Sequence, residues 1–247
     1  MRRSLLSSAR AQVNALITRR RVERVRALSS RLETSRQNPR LIGRGPTLSY
    51  SQFGEDAVLQ SLVPELPGRY VDVGAGDPIH GSNTYALYLR GWRGVLIDPI
   101  RSNTQLAEVL RPEDTVLQAA CSNSSGELTF FEFQPYEYST TSLERVDELA
   151  QQGRTPIDSY SVPVVALREI PAVPDVYSVL SIDVEGMELE VLMSNDWEAF
   201  VPELIVIEEW MGPLNGSTQV SEFLASLGYN LVAIAGVTSI YQHGPSH

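Results

Sequence analysis

From residue 50 onward, strand-sized apolar runs alternate with stretches of helical spacing, and this alternation restricts the chain to few architectures. The segments "RYVDVGA" (69–75), "RGVLIDP" (93–99), "DTVLQAAC" (114–121), "YSVLSIDVEG" (177–186) and "PELIVIEEW" (202–210) read as strands. Helices are expected over Glu55–Val63, over "SNTYALYLRG" ending at Gly91, over "SNTQLAEVLR", over Met187–Met193 and over 219–227. Strands that alternate with helices form a mainly parallel sheet wound on both faces, because each crossover helix covers one face. "YNLVAIAG" and "SIYQHG" follow each other too closely for a crossover helix, so they are expected as an antiparallel, hairpin-like edge. "GELTFFEF" reads as an extra strand. A Ser/Thr-rich loop, a short helix around Ser142–Gln152 and a short extended piece, "SVPVVAL", follow it. The expected fold class is α/β: a doubly wound, Rossmann-like sheet with N-terminal helices added.

Length and charge narrow the partners. A chain of 247 residues with 43% apolar side chains suits one α/β domain with an appendage. No run approaches the roughly 20 apolar residues of a membrane span, and Ser7, Ser8, Arg10, Gln12 and Asn14 break up any signal core. A cytoplasmic location is expected. The single cysteine, Cys121, rules out an internal disulfide and a Cys-rich zinc site. The net charge of −10 conceals an asymmetry: residues 1–44 hold 12 arginines and two acids, while the rest carries 8 arginines against 28 acids. All basic residues are arginine, which fits a GC-rich bacterial source. An acidic body repels phosphates, so nucleic acid is not expected as a partner.

The basic segment has helical spacing through Leu5, Leu6, Ala9, Val13, Leu16 and Ile17. Such a surface fits anionic lipid, giving peripheral membrane contact, or an acidic partner. Equally it fits a helical layer packed on its own domain or on a second subunit in a homodimer. Asn38-Pro39 and "IGRGPT" punctuate the chain, which divides the expected domains into 1–45 and 46–247.

The chemistry gathers at strand ends. In open α/β sheets, ligands bind beyond the C-terminal strand ends at the topological switch point. The first strand ends in Gly74-Ala75-Gly76. No Gly-Lys-Ser/Thr follows, and the third glycine of a dinucleotide fingerprint is absent. Asp72 and Asp77 flank the turn; they would repel a pyrophosphate and suit a cation, such as the sulfonium and ammonium of S-adenosylmethionine. Asp98 ends the next strand at the distance expected of an acid that holds ribose hydroxyls, although an Asp before Pro99 also caps helices. Further on, Asp183, Glu185, Glu208 and Glu209 lie at neighbouring strand ends. They suit a general base, a ligand set for a hard cation such as Mg²⁺, or hydrogen bonds to a polyol; solvated strand ends are the plainer account. His80, just past the glycine turn, is a candidate base or substrate contact. Cys121 and Ser122 end the third strand, where an adenine would lie.

These pieces, "SQFGEDAVL", "YVDVGAGDP", "SNTYALYLRGWRGVLIDP", "LSIDVEGMELEVL" and "IVIEEW", occur in order over residues 50–210, and with them the chain resembles the FkbM family of S-adenosylmethionine-dependent methyltransferases. The resemblance implies a seven-stranded sheet whose last strand is antiparallel. It also implies O-methylation of a sugar, glycolipid or polyketide hydroxyl. Position by position, it implies that Gly74 and Gly76 approach the methionine moiety and that Asp72 and Asn83, with Gln52, hold its ends. Asp98 would bind ribose, and Asp183 and Glu185 would face the reacting centre. A cation between Asp183 and Glu208-Glu209 would match the layout of some sugar O-methyltransferases. Residues 134–170, with Tyr136, Tyr138 and Tyr160, form a candidate acceptor-binding insert. Two rivals stand beside this reading: an NAD-type or nucleotide-sugar oxidoreductase on a similar sheet, and a non-catalytic scaffold held by its basic N-terminus.

Overall fold

The alternation of the sequence appears as a sheet covered on both faces. The structure, a computed structural model, describes residues 48–171, 176–209 and 216–244. The basic segment of residues 1–45 lies outside the described residues, so its expected lipid, partner or packing role has no counterpart here. The strands are β1 (Arg69–Val73), β2 (Arg93–Asp98), β3 (Thr115–Gln118), β4 (Ala120–Cys121), β5 (Gly126–Glu132), β6 (Asp158–Val165), β7 (Ser178–Ile182), β8 (Leu204–Glu208), β9 (Tyr229–Ala235) and β10 (Thr238–His243). The helices are α1 (Glu55–Leu62), α2 (Tyr85–Leu89), α3 (Arg101–Leu110), α4 (Leu143–Gln151), α5 (Glu188–Met193) and α6 (Gln219–Ser226).

Seven strands form one sheet in the order β3-β2-β1-β7-β8-β10-β9. All neighbours from β3 to β8 are parallel, and β10 is antiparallel to both of its partners. The expected antiparallel hairpin forms this edge of the sheet. Its second strand inserts next to β8, and β9 is outermost. The strand order reverses between β1 and β7, so their C-terminal ends open on a crevice.

Period-two side-chain alternation divides the core into two layers. Tyr70, Leu96, Val179, Leu204, Val206 and Ile240 pack with Leu59 of α1, Leu87 of α2 and Ala107 of α3. Val71, Val73, Ile97, Leu180, Ile182, Ile205 and Ile207 face the other way, onto Val191 and Leu192 of α5 and Leu224 of α6. Burial on both faces explains why these strands read as continuous apolar runs.

The stretch expected as one third strand breaks at Ala119. Gln118 ends β3 in the main sheet, whereas Ala120 and Cys121 pair with Val164 and Val165 in a second sheet of order β4-β6-β5. β6 runs through Pro163 because β4 pairs only with the two residues after it, so the missing N–H costs no bond on that side. Phe130 and Val162 pack this small sheet on Ile100, just beyond the end of β2.

Gly94 in β2 is required by close approach. A Cβ there would lie 2.1 Å from both the Tyr70 ring and the Tyr70 carbonyl oxygen on the neighbouring strand. Gly94→Ala is expected to cost about 1–3 kcal/mol through overpacking. Urea unfolding measures this, and an unchanged midpoint would refute the packing argument.

Candidate functional site

The turn after β1 is closed against its neighbours by backbone bonds. The Ile97 carbonyl accepts from the amides of Gly74 (2.9 Å) and Ala75 (3.2 Å), and the Val73 carbonyl accepts from the Asp183 amide (2.9 Å). Gly74 has φ 74°, and a Cβ on it would stand 1.7 Å from the Asp183 carbonyl oxygen. Only glycine satisfies both constraints. The ends of β1, β2 and β7 are thereby held at one level.

Asp98 closes the turn from the β2 side. Its Oδ2 accepts from the Gly76 amide at 2.7 Å and its Oδ1 from the Ile100 amide at 2.7 Å. It is buried, and loss of hydration raises its carboxyl to about 6, against the lowering pull of the two amides. Asn103 Nδ2 also donates to Oδ1 at 3.5 Å, so the further lone pair is on Oδ2, which leaves one oxygen for the expected ribose contact. Asp77 caps its own turn: its Oδ1 accepts from the amides of Ile79 and His80, both at 3.0 Å. The His80 side chain is exposed on this loop.

Asp72 is buried on the α1–α3 face, where Thr84 donates to its Oδ2 at 2.5 Å. Burial raises its carboxyl, and the nearby Arg111 guanidinium opposes that rise. Asn83 donates to Ser181 Oγ at 3.3 Å, tying the 77–84 loop to β7. Gln52 is exposed and precedes α1. Next to it, Ser51 bridges to Gly81, and the Gly81 amide donates to the Tyr50 carbonyl at 2.7 Å. The "SQFGED" stretch has a local cause: Asp56 accepts from Ser49 Oγ, the Tyr50 amide and Ser51 Oγ, which folds the segment onto the start of α1.

Of the four acids expected together, three converge. Asp183, Glu185 and Glu208 each present an oxygen, all within 4.8 Å of one another. Glu208 is hydrogen-bonded with Asp183, and its Oε2 is buried without a hydrogen-bond partner. Burial first, then the Asp183 carboxylate, pushes Glu208 up to about 8. Asp183 keeps exposed surface, yet lost hydration in the crevice floor raises its carboxyl too, with Glu188, Asp72 and Glu55 adding repulsion. The two carboxyls thus titrate as a pair that resists carrying both charges. Glu209 turns to the opposite face, as strand alternation requires. There it accepts from the hydroxyls of Thr218 and, at 2.7 Å, of Tyr241. A hard cation would find three oxygens here from Asp183, Glu185 and Glu208, with no contribution from Glu209.

Cys121 is turned into the core, where burial pushes its thiol up to about 12. Ser122 begins the loop after β4, its amide donating to the Val165 carbonyl at 3.0 Å. The backbone that lies beside Asp98 is Ala119, whose amide donates to the Asp98 carbonyl at 3.2 Å. Tyr160 of β6 docks the small sheet on this corner. Its hydroxyl reaches Glu132 Oε2 (3.0 Å) and the Pro99 carbonyl (3.3 Å), and its ring underlies the Arg101 guanidinium. Sequence reasoning missed Glu55, whose Oε1 accepts from Thr238 at 3.1 Å, and the buried group around Arg111. An acid in "GED" and an arginine in "LRPED" both read as surface residues.

The raised Asp98 carboxyl has a consequence for stability. It holds its proton more tightly folded than unfolded, so its contribution is complete below the ordinary value of 3.8 and is lost as pH rises to about 6. The stability of the wild type relative to Asp98→Asn should fall by on the order of 3 kcal/mol between pH 4 and pH 7. Urea unfolding of both proteins at both pH values tests this, and a difference independent of pH would contradict it.

The geometry can now be set beside known proteins. No curated protein matches the chain. Solved structures with some likeness include a TehB-like SAM-dependent methyltransferase from Corynebacterium glutamicum, at 12% identity and TM-score 0.40, over 88% of this chain and 99% of that one. A putative methyltransferase, yhhF, from Escherichia coli shows 13% identity and TM-score 0.42, over 81% and 92%. A precorrin-6y C5,15-methyltransferase from Geobacter metallireducens shows 14% identity and TM-score 0.41, over 80% and 93%. The sequence profile of the methyltransferase FkbM domain matches residues 72–231, from the acid in β1 to the start of β9. The chain belongs to the FkbM methyltransferase family.

Proposed function

We propose that the protein transfers the methyl group of S-adenosylmethionine to a hydroxyl of a sugar, a glycolipid or a glycosylated natural product. The observation that carries this reading is the placement of the Asp183–Glu208 pair against the glycine turn that Asp98 closes. The family supplies the reaction class. The acidic floor supports a cationic cofactor, since a sulfonium and an ammonium favour carboxylates that burial alone disfavours. Asp98 would accept from the ribose hydroxyls, and Asp72 and Asn83, with Gln52, would hold the methionine end.

Methyl transfer to oxygen is an in-line displacement at the sulfonium, so most of the enzyme's work is positioning. The acceptor hydroxyl must also lose its proton. The Asp183–Glu208 pair suits that task. Burial and mutual repulsion disfavour its doubly ionised form, and a cation beside it favours the ionised carboxylate able to accept a proton. Glu185 stands within reach of both. A divalent cation, where bound by Asp183, Glu185 and Glu208, would lower the pKa of a coordinated hydroxyl. Tyr136 is exposed in the turn that follows β5, and the small sheet packs on Ile100, two residues past Asp98, which supports the acceptor role of the 134–170 insert.

Isothermal titration with S-adenosylhomocysteine should show binding that Asp98→Ala weakens at least about tenfold, because it removes ribose hydrogen bonds and the turn's anchor. Asp183→Asn should leave binding within a few-fold and lower methyl transfer by roughly 10²–10⁴. Binding of NAD in preference to S-adenosylhomocysteine would reject the reading. Mass spectra of glycolipids from a deletion strain should lack a methylene increment present in the parent, and repeating the assay with EDTA or Mg²⁺ decides the metal question.

A further inference from the structure

Arg111 follows α3 and is fully buried, yet no part of the proposed chemistry uses it. Its guanidinium lies along the α1–α3 face of the sheet and joins two regions. On one side, Nε donates to Asp114 Oδ2 at 2.7 Å, with both side chains fully buried. Asp114 is itself fixed: it accepts from the Tyr70 hydroxyl and, at 2.8 Å, from the Gly94 amide, so it belongs to the rigid starts of β1 and β2. On the other side, Nη2 donates to Thr84 Oγ1 at 3.0 Å, and Nη1 approaches Ser82 Oγ (3.4 Å) and the Pro78 carbonyl (3.5 Å). Thr84 passes the connection to Asp72, and Ser82 accepts from the Tyr85 amide that starts α2. The rings of Tyr70 and Tyr88 lie near the guanidinium, with its carbon 5.2 and 5.3 Å from their centroids.

Buried ion pairs are poor sources of stability, because desolvation offsets the attraction and apolar replacements often serve as well. A planar fork whose donors divide between a fixed acid and three oxygens of one loop has a different use, since it sets distance and direction. We propose that Arg111 is a positioning residue for the cofactor, a strut that holds the 77–84 loop and the Asp72 carboxylate at a set height over the glycine turn. The inference rests on the cofactor reading above. Arg111 does not touch the bound molecule. It acts through Thr84 on Asp72, and through Ser82 and Pro78 on the loop that carries Asn83.

The test uses the full chain and two substitutions of different severity. Arg111→Lys keeps the charge and loses the fork, whereas Thr84→Val keeps the arginine and removes only its link to Asp72. Each should weaken S-adenosylhomocysteine binding about tenfold, and the double variant should be no weaker than the poorer single one, because both break one chain of contacts. Hydrogen exchange on the unliganded proteins gives a second readout. The amides of Ile79, His80, Gly81 and Tyr85 should exchange faster in both variants, while those of Ile205–Ile207 in β8 stay protected. A merely structural role predicts loss of protection everywhere and unchanged affinity in whatever remains folded; that result, or additive losses in the double variant, overturns the proposal. If the wild type binds no S-adenosylhomocysteine, the cofactor reading fails, and unchanged loop exchange in both variants would reject the strut separately.

Discussion

The contact between Gly74 and the Asp183 carbonyl sets the rest of the site. Two parallel strands on either side of a switch point end together, and the chain must turn sharply over one of them while the other continues beside it. A side chain at Gly74 would separate β1 from β7. Without one, the Asp183 amide completes the ladder to Val73, and its carboxyl emerges at the same level as the turn. Asp98 then draws the Gly76 amide down from the β2 side. The crevice floor is thus built from backbone, which moves little, and the side chains above it take their places from that floor.

Electrostatically the floor is incomplete. Asp72 and Asp98 sit where water is scarce, Glu208 is partly covered and Asp183 keeps some exposed surface, and lost hydration raises every one of their carboxyls. Folding alone has no use for such a concentration of acid, since each ionised group costs free energy in a poorly hydrated place. Among the described residues Arg111 carries the one buried guanidinium; its charge partly offsets the rise at Asp72, to which its hydrogen bonds pass through Thr84. A ligand with two positive centres would supply what these side chains lack, and part of the binding free energy of such a ligand would be relief of repulsion among the four carboxyls.

The parts of this arrangement differ in how plainly the sequence announced them. The alternation of strands and helices was readable because burial on both sheet faces gives long apolar runs, and the glycine turn with Asp98 was readable because both lie at strand ends. The separation of Glu208 from Glu209 was available in principle, as adjacent strand residues face opposite ways and Leu204 and Val206 already mark one side. The break between β3 and β4 was not available: nothing in "LQAAC" signals a change of sheet, and only β6, some forty residues later, provides the partner. Arg111 was hidden for a similar reason. Asp114 lies in the same stretch, where the two read as an ordinary surface pair; burial depends on Thr84, Ser82 and Pro78 arriving from a distant loop, and the local sequence carries no trace of that meeting.

The interior place of β10 governs the order in which the molecule can be assembled. β8, which carries Glu208, pairs on one side with β7 and on the other with β10, and Thr238 of that strand lies opposite Glu208 while donating to Glu55 at the start of α1. The last of the described strands thus supports the acid of β8 and clasps the first described helix. During synthesis β1, β2 and β7 all precede β8, and the flank of β8 stays open until β10 has been made. The acid of β8 is therefore among the last groups of the crevice to gain its final surroundings.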